Sequence, residues 1–172
     1  MPSTYTLISS NVLSSSAASV TFSAIPATFT DLVLRISARL DAATSDSTIK
    51  MFTNVSGSIY SVTQLRGFGS NSGSTVASNG VSWEKNSFNA ATSTSNTFSS
   101  AELYIPNYAG STNKPASFFQ VFENNSATTN LITVNANLLS STTAITSITF
   151  ENYSPANFVS GSSFYLYGIK NS

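Results

Sequence analysis

The 172-residue chain has no histidine, no cysteine and only 8% charged residues. An ordinary soluble domain is about one-quarter charged. Without histidine, no Ser-His-Asp or Cys-His catalytic arrangement can be built. Without histidine and cysteine together, the usual zinc, haem and iron–sulfur ligand sets are missing. Zero cysteines fit any redox compartment and exclude a small disulfide-stapled fold. Seven basic residues against seven acidic ones give a formal net charge of +0. Nucleic-acid binding needs a basic field that displaces counterions, and none exists here. The scattered Lys and Arg form no polybasic lipid patch either. No apolar run approaches the length of a membrane-spanning helix. The opening MPSTYTLISSNVLSSSAASV has neither a basic n-region nor a continuous apolar h-region, so no secretory signal is read there.

What is present points to packing and assembly. Hydrophobic residues make up 41% of the chain and aromatics 12%, with a mean hydropathy of +0.07. That is enough apolar surface to offset chain entropy, which excludes wholesale disorder. Serine, threonine and asparagine supply about two-fifths of the chain. The length suits a single domain over residues 1–172 that buries about 70% of its unfolded surface. Zero net charge removes the usual brake on self-association.

The dominant period is two. Leu32, Leu34, Ile36 and Ala38 alternate with Val33, Arg35, Ser37 and Arg39. Ile132, Val134, Ala136 and Leu138 alternate with Thr133, Asn135 and Asn137. Val20, Phe22 and Ala24 alternate with Thr21 and Ser23. Such segments are half-buried antiparallel strands. Further strands are expected over Thr4–Ser9, Thr48–Asn54, Ser58–Leu65, Thr97–Ile105, Ser117–Phe122, Thr143–Phe150 and Ser163–Ile169. The sum is an all-β, jelly-roll-like antiparallel sandwich of about eight to ten short strands with little helix. One short helix has room near Asn124–Asn130. The expected core is Leu32, Leu34, Ile36, Phe22, Val134, Leu138, Ile148, Phe150, Phe164 and Leu166.

Two strands carry apolar or aromatic residues on both faces: Phe118–Phe122 and Phe164–Ile169. Either a loop covers the second face or another subunit does. The stretch at about 67–96 is Gly/Ser/Asn-rich and nearly uncharged, and reads as a long excursion. It contains Trp83 and Phe88, large residues that need something to pack on. Phe119, Val121, Tyr165, Tyr167, Trp83 and Phe88 are therefore the candidate interface.

Carboxylates are the remaining catalytic acids and bases. The seven, Asp31, Asp41, Asp46, Glu84, Glu102, Glu123 and Glu151, read as solubilising charge at strand ends, and no catalytic residue is assigned. The loop DAATSDS offers Asp41, Asp46 and Ser47 but lacks the dense acidic pattern of a calcium loop. No metal site or cofactor is assigned. Asn-x-Ser sequons at Asn54, Asn124 and Asn152 carry no signal in a chain one-third Ser and Thr. Glycan binding needs exposed aromatics beside amide hydrogen-bonders. Trp83, Tyr108, Tyr153 and Phe158, in turn-rich stretches, are the candidates, with ordinary loop anchoring as the favoured use of such rings and glycan contact as the other.

The phrases STYTLISS, VTFSAIPATFTDLVLRISAR, LYIPNYAGSTNKPASF, AITSITF and FYLYGIKNS resemble small virion proteins of tailed bacteriophages, particularly those of marine bacteria and cyanobacteria. The resemblance runs from Thr4 to Ser172 and is weakest over Gly67–Asn96. It implies a virion structural protein without catalysis, assembled in the host cytoplasm. The first expectation is a capsid decoration or cement protein, a homotrimer that contacts the major capsid protein. The alternative is a glycan- or receptor-binding module of a tail or head fibre.

Overall fold

In the computed structural model, which describes residues 4–125 and 130–170, every regular element is a strand. In chain order they are β1 (Tyr5–Val12), β2 (Ser19–Phe22), β3 (Asp31–Ala38), β4 (Asp46–Thr53), β5 (Tyr60–Phe68) and β6 (Asn71–Gly80). Then follow β7 (Trp83–Asn89), β8 (Ser99–Ile105), β9 (Lys114–Phe122), β10 (Leu131–Leu139), β11 (Ile148–Asn152) and β12 (Ser163–Ile169). They form two antiparallel sheets. The larger runs β1-β12-β3-β8-β9-β10-β5-β6 and the smaller β2-β11-β4-β7.

Eight strands pair as nested partners: β1 with β12, β2 with β11, β3 with β8, β4 with β7. That is one long hairpin rolled over itself, the jelly-roll arrangement. Two further antiparallel pairs, β5–β6 and β9–β10, extend the larger sheet beyond β8.

The 67–96 stretch is thus no excursion. It holds the end of β5, all of β6 and all of β7, which brings the count among the described residues to twelve strands rather than eight to ten. Its Gly, Ser and Asn content imitates a linker. Yet the backbone ladder from Tyr60↔Gly80 to Phe68↔Asn71 needs no alternation of side chains to form. Near the expected short helix, Asn124 and Asn125 are irregular, and residues 126–129 lie outside the described residues.

Period-two patterning places the core. Leu32, Leu34, Ile36 and Ala38 of β3 face inward, as do Phe22, Ile148, Phe150, Phe164 and Leu166. Phe164 packs against Phe150 and Phe158, with ring centroids 5.6 and 5.1 Å apart. Trp83 and Phe88, expected at an interface, are instead fully buried core residues. Trp83 meets the Tyr60 ring edge-to-face at 5.5 Å and donates from Nε1 to the Leu138 carbonyl at 3.0 Å. They find their packing partner within the sandwich because β7 is a core strand.

Strand β10 is inverted relative to its pattern. Thr133, Asn135 and Asn137 face inward and are buried, whereas Ile132 and Val134 are 49% and 51% exposed and Leu138 is half-buried. Val134 and Leu138 therefore fall outside the core in which they were expected. A polar strand edge lies opposite the inward residues. The inner face of β9, β10 and β5 meets β7, which ends the smaller sheet and presents a free strand edge. Buried backbone polar groups need partners. Gln64 donates from Nε2 to the Lys85 carbonyl, and Gln120 from Nε2 to the Ser87 carbonyl. Asn135 donates from Nδ2 to Asn86 Oδ1 at 2.7 Å. Two carbonyls of that edge are thus satisfied from β5 and β9, and of the inward set of β10 only Asn135 reaches β7, through a side chain; Thr133 Oγ1 and the Asn137 side-chain amide are buried with no hydrogen-bond partner among the described residues.

Candidate interaction face

The outer face of the eight-stranded sheet divides into two halves of different chemistry. Register fixes both. Across β9, β10 and β5, Phe119, Val134 and Leu65 stand side by side, with Val121 and Ile132 in the adjacent row. Val76 of β6 lies opposite Thr63. Leu65 is 64% exposed and Val76 70%. This is a contiguous apolar surface with a shallow depression of about 570 Å³ between Leu65, Ile132 and Val134. Single exposed hydrophobes are ordinary, but a contiguous patch marks an interaction site.

The other half lies across β12, β3 and β8. Tyr165, Arg35 and Glu102 are cross-strand neighbours, and Glu102 in turn faces Phe119. Arg35 Nη2 and Glu102 Oε2 are 2.9 Å apart, on side chains 62% and 43% exposed. One step along the strands, Ser163, Ser37 and Ser100 form a second row. Together these residues line a depression of about 480 Å³ whose walls include Tyr165 and Phe119. Beyond it, Tyr104 donates its hydroxyl to Asp31 Oδ2 at 3.0 Å. Burial, reinforced by that carboxylate, holds the Tyr104 phenol above its ordinary pKa.

Phe119, Val121, Tyr165 and Tyr167 thus share one face, and no loop among the described residues covers Phe119, which is 47% exposed. The expected glycan aromatics do not come together. Tyr153 is 63% exposed, but Tyr108 and Phe158 are fully buried. Tyr108 donates its hydroxyl to the Pro26 carbonyl, and burial raises its pKa. Both anchor irregular segments to the core, the ordinary use of a large ring in a turn.

Each of the seven carboxylates has a local partner. Asp31 also accepts from the Asn107 amide, Asp41 from the Asn157 amide and side chain, and Asp46 from Ser45. Glu84 accepts from Ser82, Glu123 from the amides of Asn124 and Asn125, and Glu151 pairs with Lys50. Among the described residues no three acidic side chains gather into a metal-holding group. The sequon residue Asn54 binds the 144–147 backbone, and Asn124 and Asn152 are buried.

Leu65, Val76, Ile132 and Val134 were missed as surface residues, and the Arg35–Glu102 pair was missed as a unit. One signal was available for the first group: Gln64, Gln120 and Asn135 are amides flanked by apolar residues within three strands, out of place on a core face. No family model matches the chain, and no curated protein matches its sequence. Among the described residues no helix is long and apolar enough to cross a membrane.

Proposed function

We infer that the chain is a non-catalytic structural protein of a tailed-bacteriophage virion, a decoration or cement protein seated on the outside of the shell. The observation that carries this reading is the apolar half-face of β9, β10, β5 and β6. Phe119, Leu65, Ile132, Val134 and Val76 stand outward there, while Gln120 and Gln64 of the same strands turn inward onto β7 carbonyls. Covering that surface with another subunit or the capsid floor removes apolar area from water at roughly 25 cal/mol per Å². Binding to the assembled shell then stabilises both partners by mass action, and many copies on one lattice raise the avidity. The resemblance of Thr4–Ser172 to small phage virion proteins supports the same reading. A homotrimer fits a three-fold position on an icosahedral shell.

Sedimentation of the purified chain, alone and mixed with shells of its phage's major capsid protein, tests the proposal. The wild type is expected to self-associate at micromolar concentration and to pellet with shells. Val134→Asp should remain folded by circular dichroism and lose both properties, since it places an unpaired charge in the contact. A monomeric wild type that ignores shells would sink the reading.

A further inference from the structure

We propose that the depression between Tyr165 and Phe119 binds a neutral saccharide, through vicinal hydroxyls that bridge Arg35 and Glu102. This site lies in the polar half of the outer face, shares only its Phe119 wall with the apolar half, and does not rest on the assembly reading. Counting strand steps from β12 to β10, Tyr165 and Val134 are about 19 Å apart.

The ion pair comes first. An exposed salt bridge contributes about 0–1 kcal/mol to stability, so folding alone gives little reason for it in mid-face. A guanidinium offers only donors and an ionised carboxylate only acceptors. A ligand spanning Arg35 and Glu102 must therefore donate and accept within a few ångströms. Adjacent sugar hydroxyls do both. An anionic ligand would meet Glu102, and a cationic one would meet Arg35, so the pair selects for neutrality.

The surroundings match. Ser163, Ser37 and Ser100 line up across three adjacent strands, and each hydroxyl can donate or accept. Tyr165 and Phe119 stand three strand steps apart, about 14 Å, and supply apolar ring surface for the C–H faces of sugar rings. The volume of about 480 Å³ falls within the range of small-ligand sites, about 300–1,000 Å³. The floor is sheet backbone with fixed register, which sets the spacing of these side chains across the strands.

The test is an amide-shift titration of the full chain by nuclear magnetic resonance. The probes are maltotriose, cellotriose and chitotriose, with trigalacturonate as the anionic control. At least one neutral trisaccharide should perturb amides confined to residues 35–37, 100–102, 119–121 and 163–165, and trigalacturonate should not. Arg35→Ala and Tyr165→Ala, both at solvent-accessible positions, should keep the fold by circular dichroism and weaken binding by about tenfold or more. Val134→Thr, in the apolar half, should bind as the wild type does. The proposal fails if no neutral probe shifts these amides at millimolar concentration. It fails equally if trigalacturonate binds better, or if the shifts cluster at Tyr153 instead.

Discussion

Leu34 sits on β3 between β12 and β8, fully buried against the smaller sheet. Truncating it to alanine should destabilise the fold by about 2–5 kcal/mol in denaturant unfolding, because the site cannot collapse between two paired strands. A loss below about 0.5 kcal/mol would belong to a surface position. Leu34, Phe22 and Phe150 were legible in the sequence because their strands have one apolar side, and that side does face the core. Tyr108 and Phe158 were legible as large rings in turns whose favoured use was loop anchoring, and both are fully buried anchors; turn composition alone could not tell them from the exposed Tyr153. Tyr108 also gives a pH signature. Its phenol pKa is raised above 10.0 by burial. The native state therefore holds that proton where the unfolded state has lost it. Stability from this group is fully present below pH 10 and is lost as pH rises through the raised value. The stability difference between wild type and Tyr108→Phe should shrink over that alkaline window in chemical-denaturation curves. A difference that stays constant across pH 10 would mean the phenol is not held up.

At the level of elements, β10 shows how a correct strand can be given the wrong face. Its alternation of Ile132, Val134, Ala136 and Leu138 with Thr133, Asn135 and Asn137 is unambiguous as a strand signal. Which face is buried depends on the element opposite, and β7 belongs to a different part of the chain. Residue chemistry at one strand could not show that its inner neighbour would be a strand edge. Strand β6 failed to register for a different reason. Asn71–Gly80 has almost no apolar alternation, because it borders only β5 and packs little of its own surface. Paired substitutions in β10 test the inversion. Val134→Thr should change stability by no more than about 0.5 kcal/mol, as expected at a half-exposed site. Asn135→Ala should cost about 1–3 kcal/mol, because it leaves the Asn86 amide oxygen buried without its donor. If thermal denaturation ranked the two the other way round, the apolar set of β10 would face the core after all.

For the whole molecule, the partition of one sheet face into an apolar half and a hydroxyl-and-ion-pair half follows from its wiring. The nested jelly-roll strands β12, β3 and β8 have the smaller sheet beneath them, so their inner positions are apolar and their outer positions are free to be polar. The added strands β9 and β5 keep Phe118, Tyr60 and Val62 in the core and turn Gln120 and Gln64 onto the β7 edge, while β10 alone reverses, with polar residues inward and Ile132 and Val134 outward. Any association through the apolar half is then driven by apolar burial with little electrostatic steering. The face carries Arg35 and Glu102 already paired to each other, and the chain has a net charge of +0. Exposed charges are screened over about 10 Å at 0.1 M salt, so a charge-driven contact weakens steeply as salt is added. Here sodium chloride should leave the self-association constant nearly unchanged, whereas sulfate should tighten it by strengthening effective burial of apolar surface. Sedimentation equilibrium across a salt series separates the cases. Dissociation of the assembly by moderate sodium chloride would place the contact on charged groups, and the apolar half would then need another partner.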